Sequence, residues 1–274
     1  MADFKHLLVH VDSSDGAVGR LELAVTVARR FGSKLTGLFA ETDSLGASVV
    51  ARRSPQNVEK AKAKAKALFE SVAVHTGIET EWWQVDRADY SQMIGWTVVS
   101  CRYVDLAIFG QHDPRRDSAL PEDLVEQVLF NCGRPVLVVP YFGRHEEIGK
   151  RIVVGWTGSR EAARAVSDAM PLLEAAEEVR VLALQQRGAA VHTEGGPAVD
   201  IAAHLRTHGV DAQYERIFIE NIGAVANVLN GAAESAADLV VIGGHEQNSL
   251  PLLQRGSTTR DLLRSMVVPV LLSY

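Results

Sequence analysis

The last stretch of the chain, Asp238 to Tyr274, reads DLVVIGGHEQNSLPLLQRGSTTRDLLRSMVVPVLLSY. It opens with an apolar run that has no polar alternation, which is typical of a strand buried on both faces of a parallel sheet. This run ends at Gly243, and a second apolar run, Val267 to Leu272, follows later. Between the two runs, apolar residues recur at helical spacing. The stretch therefore predicts a strand, a loop, a helix and a strand, as in a parallel α/β sheet.

The turn Gly256-Ser257-Thr258-Thr259 opens the predicted helix. Glycine lets the backbone approach a ligand closely, and the start of a helix offers unpaired N–H groups and a positive field. A phosphate suits such a site. Taken alone, however, the turn is explained more simply by Ser257 acting as the N-cap of a helix.

The chain contains an internal repeat, because three segments of its first half recur in its second half. The matching pairs are His6–Ser14 with Arg151–Ser159, Asp105–Gly110 with Asp238–Gly243, and Arg134–Val139 with Val268–Ser273. Two copies of one domain are therefore predicted, at 1–143 and 150–274, joined by a short polar junction. Each copy alternates strands with helices, which indicates a parallel sheet with right-handed crossovers.

Composition restricts the function. The chain has 274 residues, of which 47% are hydrophobic, and this is ample for two cores. A net charge of −6 argues against a general nucleic-acid or anionic-membrane binder. No apolar run approaches the roughly 18–20 residues that span a bilayer. The two cysteines, Cys101 and Cys132, are too few for a disulfide framework. We expect a cytoplasmic protein with reduced thiols, with no nucleic-acid partner and no membrane.

The spacing of the final loop resembles that of the universal stress protein family, Gly-x2-Gly-x9-Gly-(Ser/Thr) between two buried strands. Gly243 and Gly256-Ser257 stand at the first and last positions, and Glu246 replaces the middle glycine. With the repeat, the resemblance covers nearly the whole chain, which is identified as a tandem member. It implies an α/β fold of two doubly wound, Rossmann-like domains. Each would be a five-stranded, mainly parallel sheet in the order 3-2-1-4-5.

The resemblance also implies a ligand, because the family's loop binds ATP or a related nucleotide in some members. There an Asp at the end of the first strand contacts the nucleoside. The first copy keeps this residue as Asp12, but Asp113 and Asp123 stand where its loop needs glycine, so ATP is not expected there. The second copy keeps its outer glycines, although Thr157 replaces the Asp and Glu246 adds a like charge worth on the order of 1 kcal/mol.

A possible adenine nucleotide is therefore assigned to the second copy, and Mg²⁺ would enter only with it. The predicted binding residues are Thr157, Ile242, Gly243, Glu246, Gly256, Ser257, Thr258 and Thr259. Single-domain members of the family usually dimerise, often through the final strand. The resemblance thus implies an internal pseudo-dimer here, and it leaves a further homodimer and protein partners open.

Three functions remain open at this point. The favoured one is a nucleotide-binding regulator or protective protein of the stress response. The second is a scaffold or interaction protein whose sites no longer bind nucleotide, favoured by Glu246 and Thr157. The third is a weak ATPase, but the sequence shows no general base and no catalytic motif for it. His204 and His208, four apart on a predicted helix, could share a metal, but no third ligand is evident.

Overall fold

The computed structural model describes residues 3–42, 54–85, 89–115, 120–186, 200–219, 223–245 and 258–274. The chain divides into two compact units, Met1–Glu147 and Ile148–Tyr274. This division falls inside the polar segment that joins the two copies of the repeat. Among the described helices, none is both long enough and apolar enough to cross a bilayer.

The first unit is a parallel sheet in which each strand but the last is followed by a crossover. Its elements are β1 (His6–His10), α1 (Ala17–Phe31), β2 (Lys34–Phe39), α2 (Pro55–Ala73) with a 3₁₀ turn at Val74–Thr76, β3 (Thr80–Gln84), α3 (Tyr90–Cys101), β4 (Leu106–Gly110), α4 (Leu124–Cys132) and β5 (Val136–Val139). The strands lie in the order β3-β2-β1-β4-β5, and every neighbouring pair is parallel.

The second unit repeats this plan. Its elements are β6 (Arg151–Trp156), α5 (Arg160–Glu174), β7 (Glu178–Gln186), α6 (Ile201–Thr207), β8 (Ala212–Ile219), α7 (Ala224–Glu234), β9 (Leu239–Gly243), α8 (Thr258–Ser265) and β10 (Val270–Ser273). The strands lie in the order β8-β7-β6-β9-β10, again with only parallel pairs. The predicted order 3-2-1-4-5 is confirmed in both units.

Side chains at the element ends explain why the helices begin where they do. Asp89 and Gln92 form a capping box at the start of α3, because the Asp89 carboxylate accepts from the Gln92 N–H (2.8 Å) and the Gln92 side chain accepts in return. Ser159 caps α5 by accepting from the Ala162 N–H at 3.1 Å. Asp and Ser are both residue types that favour the N-cap position.

The repeat is visible in one further detail. Asp105, just before β4, accepts from the backbone N–H groups of Lys5 (2.8 Å) and His6 (2.9 Å) and so fixes the start of β1. Asp238, just before β9, accepts from the Gly149 N–H (2.7 Å) and the Lys150 N–H (3.0 Å) at the start of β6. Each copy thus ties its first strand to its fourth with one carboxylate.

The sheet order places a crevice in each unit. β1 lies between β2 and β4, and β6 lies between β7 and β9. The crossovers leave these central strands in opposite directions, and ligands of doubly wound sheets bind beyond the carboxyl ends at such a point. The residues that border these crevices follow β1 and β4 in one unit, and β6 and β9 in the other.

Candidate functional site

A pocket of about 470 Å³ opens at this point in the first unit. The turn after β1, the end of β4, the start of α4 and the segment after β5 all line it. Its volume lies within the range of roughly 300–1,000 Å³ that small-molecule sites occupy. The first copy, where no ATP is expected, therefore has a well-formed cavity.

A buried ion pair forms one wall of this pocket. Nη2 of Arg20, on α1, donates to Oδ2 of Asp12 at 2.9 Å, and its Nε donates to the His10 carbonyl oxygen at 2.8 Å. The two charged side chains are only 4% and 6% exposed. Ser14 donates to the other carboxylate oxygen of Asp12 with its N–H (2.9 Å) and with its hydroxyl. Asp12 therefore already has partners for both of its oxygens.

These contacts keep Asp12 ionised. Burial alone would raise the pKa of the carboxyl, but Arg20 in particular, with His10 and the hydrogen bonds from Ser14, lowers the pKa to about 2. His10 stacks on Phe109 with the ring centroids 5.4 Å apart, and its Nε2 bonds to the Ala40 carbonyl oxygen at 2.9 Å. Burial lowers the pKa of His10, although the Asp12 carboxylate opposes this shift.

Gly110, the last residue of β4, makes room for Arg20. A Cβ atom added at Gly110 would lie 2.0 Å from Nη1 of Arg20. The guanidinium thus occupies the space directly over the end of β4, which is where the resemblance implies a ligand of the first copy. This arrangement does not fit a nucleotide that contacts Asp12.

Glu41 adds a second buried carboxylate after β2. It is 2% exposed, and Oε1 accepts from both the N–H and the hydroxyl of Ser13 at 2.7 Å. Lys64, on α2, donates to the Ser13 carbonyl oxygen at 3.2 Å. The turn after β1 is therefore held rigidly from two sides.

The two acidic residues of the first loop behave differently. Asp113 lines the pocket and forms a two-pronged ion pair with Arg115, whose guanidinium lies 4.8 Å from the Tyr141 ring centroid. Asp123 is not among the lining residues and accepts from the Tyr90 hydroxyl at 2.5 Å. Burial and this carboxylate raise the pKa of Tyr90 to about 12. Of these two residues, only Asp113 therefore places a negative charge in the cavity.

In the second unit, the predicted residues Thr157, Ile242 and Gly243 lie at the ends of neighbouring strands. Thr157 is exposed just beyond β6, and its hydroxyl donates to the Ser159 hydroxyl at 3.2 Å. Ile242 is buried against Gly155 of β6. A Cβ atom at Gly243 would lie 2.6 Å from backbone atoms of Glu161 and Ala162. Gly243 is thus required for the first turn of α5 to pack on the end of β9.

Thr259 anchors the loop between β9 and α8. Its hydroxyl accepts from the His245 N–H at 2.8 Å and donates to the His245 carbonyl oxygen at 3.2 Å, and the residue is 2% exposed. The predicted residues Glu246, Gly256 and Ser257 lie outside the described residues, as does the side chain of Thr258. Thr259 therefore holds the two ends of the loop together, and the remaining binding residues stay predictions.

The two histidines considered for a metal lie side by side. The rings of His204 and His208 meet edge to face with their centroids 4.9 Å apart. Within the described ranges, no group of three His, Cys, Asp or Glu side chains is arranged to hold a metal ion. Cys101 and Cys132 are buried free thiols, and burial raises the pKa of both.

No protein-family model matches the sequence, and no curated protein matches it. Solved structures do match it over nearly its full length. A universal stress protein from Archaeoglobus fulgidus DSM 4304 superimposes with a TM-score of 0.74 at 17% identity, covering 98% of this chain and 95% of that chain. The chain has the universal stress protein fold.

Two further solved structures are similar to the chain. A protein of unknown function from Pseudomonas aeruginosa PAO1 gives a TM-score of 0.56 at 16% identity, over 98% of this chain and 92% of that chain. A universal stress protein from Archaeoglobus fulgidus in complex with dAMP covers 50% of this chain and 98% of that chain, at 16% identity and a TM-score of 0.36.

Arg20 and Glu41 are the functional residues that the sequence does not predict. A signal was present for Arg20, because it stands on the buried stripe of α1, three residues after Ala17 and four before Ala24. A lone arginine on such a stripe must find a buried partner, and Asp12 is eight residues earlier in the chain. Glu41 gave no comparable signal, since it only follows the second strand.

Proposed function

We propose that the chain acts as a tandem universal stress protein, a regulator or protective protein of the stress response. In this proposal it binds ATP or a related adenine nucleotide in its second unit. The fold over 98% of the chain supports the family, and the loop from Gly243 to Ser257 supports the ligand. The cytoplasmic location, the internal pseudo-dimer and a further homodimer stay predictions.

The observation that carries the proposal is the double hydrogen bond between Thr259 and the backbone of His245. It holds the first turn of α8 beside the turn that follows β9. The N–H groups at the start of a helix favour an anion, and here they belong to the residues directly after Gly256-Ser257. A phosphate bound there would lie near the end of β9, at the crevice between β6 and β9.

Charge supports the second unit over the first. In the first unit the pocket contains the carboxylates of Asp12 and Asp113, and the Arg20 guanidinium covers the end of β4. In the second unit Thr157 stands in place of Asp12, and it is exposed. A triphosphate therefore meets less repulsion in the second crevice, where Glu246 is the one acidic departure from the family's loop.

Mass spectrometry of small molecules released from freshly purified, denatured protein tests the proposal first. ATP titration, followed by the fluorescence of Trp156 at the end of β6, then measures affinity. Gly256→Asp should weaken ATP binding at least about tenfold, because it places a carboxylate in the phosphate loop. Asp123→Gly, the reverse change at the equivalent position of the first unit, is the matched control and should leave the affinity unchanged.

Glu246→Gly restores the family's loop and should tighten ATP binding about fivefold by removing a like charge. No co-purified nucleotide and no saturable binding at millimolar ATP would overturn the proposal. The scaffold function would then stand in its place. That second candidate is favoured by a specific observation, since the Arg20 guanidinium already covers the end of β4 in the first unit.

A further inference from the structure

The third strands of the two units, β3 and β8, differ in how they are protected. β3 has five residues and is well covered, because Lys34 of β2 lies 2.8 Å from Glu81 and Trp82 packs on Phe69 of α2. β8 has eight residues, and within the described part of the chain its one strand neighbour is β7. A long strand at the edge of a sheet offers its outer N–H and C=O groups to another strand.

Two aromatic side chains of β8 are exposed. Tyr214 is 40% exposed and Phe218 is 55% exposed, whereas both tryptophans of β3 are half-buried. Because successive side chains of a strand point to opposite faces of the sheet, Tyr214, Arg216 and Phe218 share one face with Ala212. The fold of the second unit therefore presents an aromatic edge that the first unit lacks at its described β3.

A groove of about 690 Å³ lies on this same face, between α6 and the first half of β8. Its lining includes Ala202 and Arg206 of α6, and Ala212 and Tyr214 of β8. Ala212 contributes only a methyl group, so the groove is open at that end of the strand. Phe218 stands six residues later, about 20 Å along the same face. One end of β8 thus has a gap, and the other end has a protruding ring.

A two-fold axis perpendicular to the sheet at Glu215 brings these two ends together. Two copies of β8 then pair antiparallel, and Glu215 lies opposite its own copy. Phe218 of each copy lies opposite Ala212 of the other, so that the ring meets the groove. Such an interface is isologous, because one patch is used twice and complements itself.

The charges of β8 fit the same pairing. Arg216 of each copy lies opposite Tyr214 of the other, and a guanidinium beside an aromatic ring is a favourable contact across two strands. The two Glu215 carboxylates face each other, but Arg180 of β7 donates to each of them at 2.5 Å. Each Glu215 therefore brings its own cation to the interface.

We propose that the chain forms a homodimer in which β8 pairs antiparallel with β8 of a second copy, and Phe218 of each copy enters the groove of the other. The added strand gives the outer backbone groups of β8 their hydrogen-bond partners. This surface is distinct from the final strand, through which the resemblance implies a dimer. It also does not depend on a nucleotide, so this proposal and the proposed function can fail separately.

Sedimentation velocity of the full chain tests the proposal. The wild type at about 100 µM should sediment as a dimer. Phe218→Lys replaces the exposed ring with a charge and should weaken dimerisation at least about tenfold. Trp96→Lys is the matched control, because Trp96 is 61% exposed but lies on α3, in the other unit. It should leave the dimer unchanged.

New cysteines on β8 test the register. Glu215→Cys places two thiols opposite each other with the Cα atoms about 5 Å apart, which allows a disulfide under mild oxidation. Ile217→Cys lies on the same face of β8, but its two thiols would be about 13 Å apart, too far for a disulfide. A non-reducing gel should therefore show cross-linked dimers for the first variant and monomers for the second. The natural Cys101 and Cys132 are buried.

Three results would overturn the proposal. They are a wild type that stays monomeric at about 100 µM, a dimer that Phe218→Lys leaves intact, and equal cross-linking of the two cysteine variants. The Gly256→Asp variant keeps this proposal apart from the proposed function, because it should lose ATP binding and still form the dimer.

Discussion

The two units fill the space over the end of their fourth strand in different ways. In the first, a Cβ atom at Gly110 would meet the Arg20 guanidinium; in the second, a Cβ atom at Gly243 would meet the backbone of α5. Eight residues after Thr157 stands Ala165, at the position that Arg20 holds eight residues after Asp12. A small residue lets α5 approach the strand, and a long one occupies the gap with a side chain.

This difference accounts for the contrast between the crevices. Arg20 requires a buried anion, and in the first unit Asp12 supplies it. The resulting ion pair lines one side of the pocket. Ala165 requires none, and Thr157 in the second unit is exposed and uncharged. One position on the first helix thus decides whether a unit needs a buried carboxylate after its first strand.

The largest effect is expected when the positive charge of Arg20 is removed. Arg20→Met leaves Asp12 buried without its partner and should reduce the free energy of unfolding by about 3–5 kcal/mol. The double variant Arg20→Met/Asp12→Asn removes both charges and should recover most of this loss. Urea unfolding measures all three proteins.

The matched control is Arg164→Met, which breaks a half-exposed Arg164–Asp168 pair (2.8 Å) on α5. It should cost less than about 1 kcal/mol, as exposed ion pairs do. If the single and double variants are equally unstable, the loss comes from packing of the Arg20 stem, and the charge argument is wrong.

A second substitution that removes the steric clash should rescue an alanine at Gly110 but not one at Gly243. Gly110→Ala and Gly243→Ala should each cost about 1–3 kcal/mol by overpacking. Shortening Arg20 removes the atom that the new methyl group would meet, so Gly110→Ala should cost much less in the Arg20→Ala/Asp12→Asn background. Thermal unfolding of the four combinations measures the coupling.

No side-chain substitution can relieve the clash in the second unit, because the nearest atoms to a Cβ at Gly243 belong to the backbone of α5. Glu161→Gly removes one nearby Cβ atom but leaves those backbone atoms, so Gly243→Ala should stay costly in that background. Equal rescue of both glycine variants would show that the two units are filled alike.

Low pH should reduce the stabilisation that Asp12 gives to the first unit, and the second unit has Thr157 at that position. Because the folded pKa of Asp12 is about 2, below its ordinary value of 3.8, this carboxylate stabilises the fold fully above about pH 4. The contribution is lost as the pH falls from about 4 to 2, and it amounts to about 2 kcal/mol. The unfolding free energy, followed from pH 5 to pH 2, should therefore fall more steeply in the wild type than in Asp12→Asn. Identical slopes would contradict the lowered pKa.

The fold could be predicted from the sequence because its signals are local and occur twice. The apolar runs and the caps at Asp89 and Ser159 follow from residues within a few positions of one another, and the segments that begin at Asp105 and Asp238 repeat one pattern. Strand order required the resemblance, since no local pattern states which strands are neighbours.

The site was less predictable because it depends on contacts across the fold. The Arg20–Asp12 pair and the Glu41–Ser13 bonds join residues from different elements, and no spacing rule reports such pairs. Asp123 shows the reverse case: its place in the loop pattern suggests a charge in the cavity, but Tyr90 draws the carboxylate to α3. The nucleotide loop of the second unit stays a prediction, except for its two anchored ends.

The smallest effect is expected at Thr259, which holds the two ends of the loop between β9 and α8 together. Thr259 stands sixteen residues after Gly243, and the first unit has Glu126 at the same distance after Gly110. Thr259→Val keeps the shape of the side chain but leaves the His245 N–H without its acceptor, which should cost about 1–2 kcal/mol in thermal unfolding. Thr259→Ser keeps the hydroxyl and should cost less. If α8 begins at the phosphate site, the Val variant should also weaken ATP binding, because the start of the helix is no longer held beside β9. A Val variant that loses stability yet binds ATP like the wild type would make Thr259 a structural anchor only and would move the proposed phosphate site away from α8.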